Sequence, residues 1–199
     1  MNSPARVRRI LLIRHGQTAW SLAGRHTGRT DVGLTAAGEV QARALSGLPG
    51  RLGLVDPYVI ASPRARALRT AELAGLAPDE ISEGVAEWDY GRYEGITRAQ
   101  IRADSQPGWT IWTHGAPGGE SVDAMRERVD RAVAHVGEVL AQRDVVVVSH
   151  GHFSRSFVCR YLGWPIEYGA SVDLPPAGSA LLAEIDGERR LERLAGTEG

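Results

Sequence analysis

The sequence predicts an α/β protein, a three-layer αβα sandwich around a mostly parallel sheet. Three observations predict it. Short apolar runs at Ile10–Ile13, Tyr58–Ala61 and Val145–Val148 have the length of strands buried on both faces. Amphipathic stretches of helical period lie between them. Two of the runs lead into the same dipeptide, His15-Gly16 and His150-Gly151. If those strands are parallel neighbours, both imidazoles emerge at one edge, outside the carboxyl ends of the strands, where open α/β sheets place ligands.

The 199 residues suit one domain, 1–199, with a full core. A net charge of −1 gives no electrostatic case for nucleic acid or a membrane surface. All 23 basic residues are arginine. Compositional bias accounts for that, but it leaves any anion site to Arg, His and backbone N–H. The single Cys159 cannot close an internal disulfide and reads as a small core residue. Met1 to Arg9 is basic, yet the apolar run behind it is too short for a signal-peptide core, and no stretch has the length to cross a bilayer. A cytoplasmic protein is expected. A homodimer is compatible with the sequence, which does not decide oligomeric state.

In chain order, the first strand gives way to a Gly-, Thr- and Arg-rich loop, Gln17 to Gly33. Thr35 can cap a helix to about Leu48 with Ala37, Val40, Ala44 and Leu48 on its buried face. Pro49 to Pro57 reads as a connection and Tyr58–Ala61 as a strand. Ser62-Pro63 has the form of an N-cap followed by proline at the first helical position, starting a helix to about Ala74. Ile81 to Ala86 reads as a third strand ending at Glu87. Residues 88–119 hold Trp88, Trp109 and Trp112 and form a covering segment, with one short helix near Thr97–Ala103. Ser121 to Gln142 is the clearest helix, because Val122, Met125, Val129, Val133, Val136 and Leu140 recur at helical spacing. The strand Val145–Ser149 and a helix from Gly151 to about Leu162 follow. Ala180–Ile185 and Arg190–Leu194, joined by Asp186-Gly187, read as a hairpin.

Several short motifs fall at the same predicted edge. In Arg14-His15-Gly16 the glycine leaves room for a ligand near the backbone, and Gln17 and Thr18 add amide and hydroxyl donors. Arg64 and Arg66 stand at a helix start, where acids are favoured by the dipole and phosphates bind. Cations there break a local rule, which points to function. An Arg fork bonds two phosphate oxygens at once. Glu87 supplies a carboxyl group beside them. His150-Gly151-His152 has the spacing of some metal sites, but no further ligand follows at suitable spacing, so no metal is expected. His26 and His114 sit in predicted loops and can line an entrance. Each motif alone is ordinary. Together they suit phosphoryl transfer through a phosphohistidine, with one neutral imidazole attacking phosphorus. Arginines and the other histidine hold the oxygens, and Glu87 protonates the departing alcohol and then activates water. The two His-Gly strand ends are equivalent at this point, so either imidazole can be the nucleophile.

Well-separated motifs in a fixed order break that equivalence. They are Arg14 to Trp20, Thr27-Gly28 to Leu34-Thr35 with Gly38, and Ser62 to Ala71, in which Arg66-Ala67 and Thr70-Ala71 fit an RA–x–x–TA pattern. Glu87 with Tyr90-Gly91 and Glu94-Gly95, Gly119-Glu120-Ser121 and Ser149-His150-Gly151 follow. Through them nearly the whole chain resembles the histidine phosphatase superfamily, the phosphoglycerate mutase-like proteins. The resemblance implies that fold, no cofactor, His15 as the phosphorylated nucleophile, Arg14, Arg66 and His150 as the phosphate pocket, and Glu87 as the proton donor. The remaining substrate contacts are expected from Gln17, Thr18, Ser21, Thr27 and Gly28, from Arg64, from Trp88 and Tyr90, and from Gly151 and His152. Mutases of this family carry a longer insertion with basic residues, and the arginine pair they use is missing from residues 88–119. Glu94-Gly95 looks like the phosphatase branch. The stretches Gln17 to Ser21, Glu87 to Gly91 and Trp109 to Gly115 resemble small acid phosphatases and sedoheptulose bisphosphatases, although Ser21 stands where many members have asparagine. The expectation is a metal-independent phosphomonoesterase acting on a small phosphorylated metabolite such as a sugar phosphate or bisphosphate, working best at mildly acidic pH. The rivals are a cofactor-dependent phosphoglycerate mutase and a non-catalytic phosphate-binding module.

Overall fold

The computed structural model describes residues 7–104 and 106–196. The basic start of the chain therefore lies outside the described residues as far as residue 6. Six strands, β1 (Arg9–Arg14), β2 (Tyr58–Ala61), β3 (Glu80–Ile81), β4 (Val145–Ser149), β5 (Ser179–Ile185) and β6 (Glu188–Ala195), form one sheet in the order β3-β2-β4-β1-β5-β6. The first four in that order are parallel, and the β5–β6 hairpin runs antiparallel at one edge. Asp186 and Gly187 both take positive φ at the hairpin turn, the geometry that suits the twist of the strands.

Alternation along the central strands explains the layers. Ile10 and Leu12 of β1 and Val145 and Val147 of β4 enter one core, whereas Leu11, Ile13, Val146 and Val148 enter the other. Each fully buried aliphatic side chain contributes about 1.5–3 kcal/mol, so these two strands anchor both faces. The helices are α1 (Ala19–Leu22), α2 (Ala36–Ala44), α3 (Leu48–Arg51), α4 (Ala65–Leu73), α5 (Arg98–Asp104), α6 (Ile111–His114), α7 (Val122–Leu140) and α8 (Gly151–Tyr161). Residues of α5 to α8 cover the first core and residues of α4 the second, where the chain around α2 and α3 adds Leu45 and Leu48. The long helix α7 is capped by Ser121 and buries Met125, Val129, Val136 and Leu140, as its spacing predicts. Cys159 is buried in α8, which pushes its thiol up to about 11. Among the described residues no helix is long and apolar enough to cross a membrane.

Five local expectations are corrected. Thr35 does cap α2, but the helix stops at Ala44 and turns the other way: Gly38 and Ala42 are buried while Val40 is exposed. Close backbone contact decides this face, because a Cβ on Gly38 would overlap the Gln17 carbonyl and one on Gly16 the Gly38 carbonyl. The connection after it contains a turn of helix, α3. Ser62 is not a helix cap. α4 begins at Ala65 with Arg64 at its cap position, and the Ala65 amide is satisfied by Asp31 Oδ1 at 2.9 Å. The strand expected from Ile81 to Ala86 is only the two residues of β3, after which Glu83–Val85 form a 3-10 turn. Ser82 prompts the change by accepting the Gly84 amide with its side chain. The covering segment holds two short helices, α5 and α6, instead of one.

Candidate active site

β1 and β4 pair in register, with Arg14 opposite Ser149, so the next residues, His15 and His150, emerge side by side. Their ring centroids are 5.2 Å apart. His15 is locked through its backbone: its N–H donates to the Ser149 carbonyl at 2.9 Å and its C=O accepts from Ala177 at 3.0 Å. The Gly16 amide donates to Thr70 Oγ1 at 3.1 Å, and Thr70 donates in turn to the Arg66 carbonyl. Thr70 of the RA–x–x–TA stretch thus ties α4 to the turn after β1.

The two imidazoles differ in their hydrogen bonds. His15 Nδ1 lies 2.7 Å from the Gly16 carbonyl, which can only accept, so the proton sits on Nδ1 and the Nε2 lone pair is free. Burial, then the charges of Arg14 and Arg66, hold His15 well below the ordinary histidine range, so the ring is neutral. His150 is also held neutral by burial and Arg66, but both of its nitrogens are engaged. Arg66 Nε donates to Nδ1 at 3.2 Å, and Nε2 lies 2.7 Å from Ser62 Oγ.

Arg66 is completely buried. Its remaining hydrogen bonds go to the carbonyls of Thr27, Gly28 and Thr30 at 2.9–3.0 Å. That loop is held from the other side by Glu94, whose carboxylate accepts the amides of Gly28, Arg29 and Thr30. Arg14 is the freer cation: Nη1 donates to the Leu174 carbonyl at 2.7 Å, while its buried Nε has no partner. Gly151 allows this arrangement, since a Cβ there would sit 3.1 Å from the Arg14 guanidinium carbon.

Glu87 leaves the 3-10 turn, not a strand, and its carboxylate lies over the start of α8. Oε1 accepts from Trp88 N and Phe153 N at 2.9 Å, and Oε2 from His152 N at 3.0 Å. Neither helix start therefore offers all its first amides to an anion: α8 gives two to Glu87 and α4 gives one to Asp31. The acids also answer the cations placed against the α4 dipole, since Arg64 pairs with Glu83 at 2.9 Å.

A cleft of about 170 Å³ opens on Arg14, His15 and Glu87. Of the expected outer contacts it includes Ser21, Thr27, Tyr90, Gly151 and His152. Five others point elsewhere. Gln17 Oε1 accepts from Thr35 at 2.9 Å, Thr18 is buried as the cap of α1, and Gly28 serves Arg66 and Glu94. Arg64 is paired with Glu83, and Trp88 is a core residue that donates its indole N–H to the Glu120 carbonyl. His114 bonds Thr113, away from the cleft, and His135 pairs with Glu80 at the surface.

Sequence reasoning missed Arg25 and Arg155, which also line the cleft. Arg155 lies four residues after Gly151, one helical turn on, and that spacing could have found it. It also missed Arg128. This side chain donates to the carbonyls of Gly84, Ala86 and Glu87 and forks Glu120 at 2.7 and 2.8 Å, and Glu120 accepts the Asp89 amide. The pair brackets the chain on both sides of the Glu87 carboxylate. Among the described residues no three His, Cys, Asp or Glu side chains gather as a metal site.

The family model of the histidine phosphatase superfamily (branch 1) matches residues 10–197. An acid phosphatase of Mycobacterium tuberculosis is 50% identical over 183 residues, 92% of this chain and 90% of that protein. The sedoheptulose 1,7-bisphosphatase of Saccharomyces cerevisiae is 31% identical over 193 residues, 82% of this chain and 71% of that protein. The solved structure of an open reading frame product from Mycobacterium tuberculosis superposes with a TM-score of 0.93 at 49% identity, covering 96% of this chain and 99% of that one.

Proposed function

Because this chain belongs to the histidine phosphatase superfamily, branch 1, we propose that it hydrolyses phosphomonoesters through a phosphohistidine on His15, without a metal. His15 Nε2 attacks phosphorus in line and the bond from phosphorus to the alcohol oxygen breaks. Glu87, as the carboxylic acid, gives its proton to the departing oxygen. The Glu87 carboxylate then takes a proton from water, the hydroxide attacks phosphorus, and the N–P bond breaks to release phosphate and restore neutral His15. Arg14, which lines the cleft, supplies the positive charge that a metal would otherwise supply, and Arg66 and His150, bonded to each other, complete the phosphate pocket in this reading.

The observation that carries this reading is the fixed tautomer of His15: a buried neutral ring bonded to Gly16 at Nδ1 has only Nε2 to offer the cleft. The size of the cleft supports a small phosphorylated metabolite, since ~300–1,000 Å³ is usual for pockets that enclose drug-sized molecules. The acid phosphatase and bisphosphatase relatives support a sugar phosphate or bisphosphate as the class. Ser21, Thr27, Tyr90, Gly151 and His152 are the outer contacts in this reading. Residues 88–119 belong to the same single domain in this reading and reach the cleft through Tyr90, with Trp109 and Trp112 packed against His26 and His152.

Trapping tests the intermediate. Wild type quenched during turnover of a phosphorus-labelled ester should carry acid-labile, alkali-stable label, and His15→Ala should carry none. Equal labelling of both would rule out His15. Activity lost on chelation would rule out the metal-free route, and isomerisation of 3-phosphoglycerate faster than phosphate release would favour a mutase.

A further inference from the structure

We propose that His26 and His152 form the leaving-group subsite, one offering a hydrogen-bond acceptor and the other a donor to a hydroxyl-bearing, sugar-like alcohol. The proposal rests on the phosphomonoesterase reading and specifies what that enzyme selects.

Both rings line the cleft, nearly parallel at 24° with centroids 6.2 Å apart. Their inner nitrogens fix opposite tautomers. His26 Nδ1 lies 2.8 Å from the Ile96 carbonyl, which only accepts, so Nδ1 carries the proton and Nε2 is an acceptor. His152 Nδ1 lies 2.6 Å from the Tyr90 hydroxyl. That phenol is buried and has no other hydrogen-bond partner among the described residues. A phenol is a stronger hydrogen-bond donor than a neutral imidazole N–H, and the imidazole lone pair is a stronger acceptor than the phenol oxygen, which favours the pairing in which Tyr90 gives its hydrogen to Nδ1. The phenol therefore donates to Nδ1, and the proton of His152 sits on Nε2 as a donor.

Neither Nε2 has a partner among the described residues, and neither is sealed from solvent. Burial holds both rings below the ordinary histidine range, so they act as neutral groups and not as cations for a second phosphate. Their orientations are fixed by packing. Trp109 meets His26 edge-on at 5.3 Å, and Trp112 lies 5.1 Å from His152. A polyol carries hydroxyls that both donate and accept, and so answers both nitrogens. A hydrocarbon alcohol displaces their water and answers neither.

The test compares ribitol 5-phosphate with pentyl phosphate, two five-carbon alkyl esters that differ in hydroxyls. Phosphate release gives kcat/KM for wild type, His26→Asn and His152→Asn. Asparagine can keep the inner bond, to Ile96 or from Tyr90, while removing the outer nitrogen. Wild type should prefer the ribitol ester at least tenfold, and each variant should narrow that preference by about tenfold. His152→Gln, whose longer amide reaches toward the lost Nε2–H, should recover part of it. A wild-type preference near one overturns the proposal whether or not the variants fold, as does a preference untouched in both Asn variants. Release from neither ester by wild type overturns the phosphomonoesterase reading itself, and the subsite with it.

Discussion

His15 serves as a nucleophile only while Nε2 keeps its lone pair, and its surroundings protect that state twice. The Gly16 carbonyl fixes the tautomer, and burial beside two arginines keeps the ring neutral. Because its pKa lies below the ordinary histidine value of about 6.5, the ring stays unprotonated at pH values where a free histidine would charge. The acidic limb of kcat/KM should therefore fall below pH 6.5, measured from pH 4 to 9. A limb at or above 6.5 would contradict a protected His15. Glu87 makes a separate prediction. Glu87→Gln keeps the size and an acceptor but cannot deliver a proton in the same way. Read as kcat/KM, which reports only the steps up to departure of the alcohol, hydrolysis of alkyl phosphates should drop by about 10²–10⁴, with a much smaller loss on p-nitrophenyl phosphate, whose leaving group needs no acid. Equal losses on both esters would remove Glu87 as the proton donor.

At the scale of elements, the two sides of the cleft are built differently. The histidine side is strand: β1 and β4 pair residue for residue, so the positions of His15 and His150 follow from the ladder. The glutamate side has no strand, and Arg128 with Glu120 supplies what a ladder would have supplied. Arg128→Leu leaves Glu120 and three carbonyls without their donor. Both partners of this pair are less than a fifth exposed, and breaking such a pair costs about 3 kcal/mol, readable by urea unfolding. Loss of the bracket should also lower kcat while leaving inhibition by inorganic phosphate nearly unchanged, because Arg14 and Arg66 are held by other elements. Unchanged kcat in a destabilised variant would reduce Arg128 to a purely structural residue. The loop 27–30 is the matching device for Arg66, with its carbonyls on the guanidinium and its amides on Glu94.

For the whole molecule, a site made of buried neutral histidines should limit acid stability. His15, His150 and His152 all sit well below 6.5 in the fold, whereas the unfolded chain protonates them near that value. Between the two values the unfolded state binds more protons, so stability must fall as pH drops below 6.5. The slope is up to about 1.4 kcal/mol per pH unit for each ring. Urea unfolding at pH 7.5, 6.5 and 5.5 should show that loss, and a flat profile would mean the rings are not neutral in the fold. The sequence by itself determined the sheet, its parallel centre, the two His-Gly strand ends, the cap of α2, the core face of α7 and the terminal hairpin. Each of these rests on local chemistry: apolar runs need two covered faces, and caps and turn residues act on their own backbone. Only the tertiary structure decided which face of α2 is buried, what Ser62 bonds, how Glu87 is held, and that Arg128 and Arg155 matter. In each case the deciding partner is distant in sequence: Gln17 for Gly38, His150 for Ser62, and α8 for Glu87. A hydrogen bond between residues 88 apart leaves no period or motif in the chain, because the requirement for it arises only once burial has removed the water that would have met it.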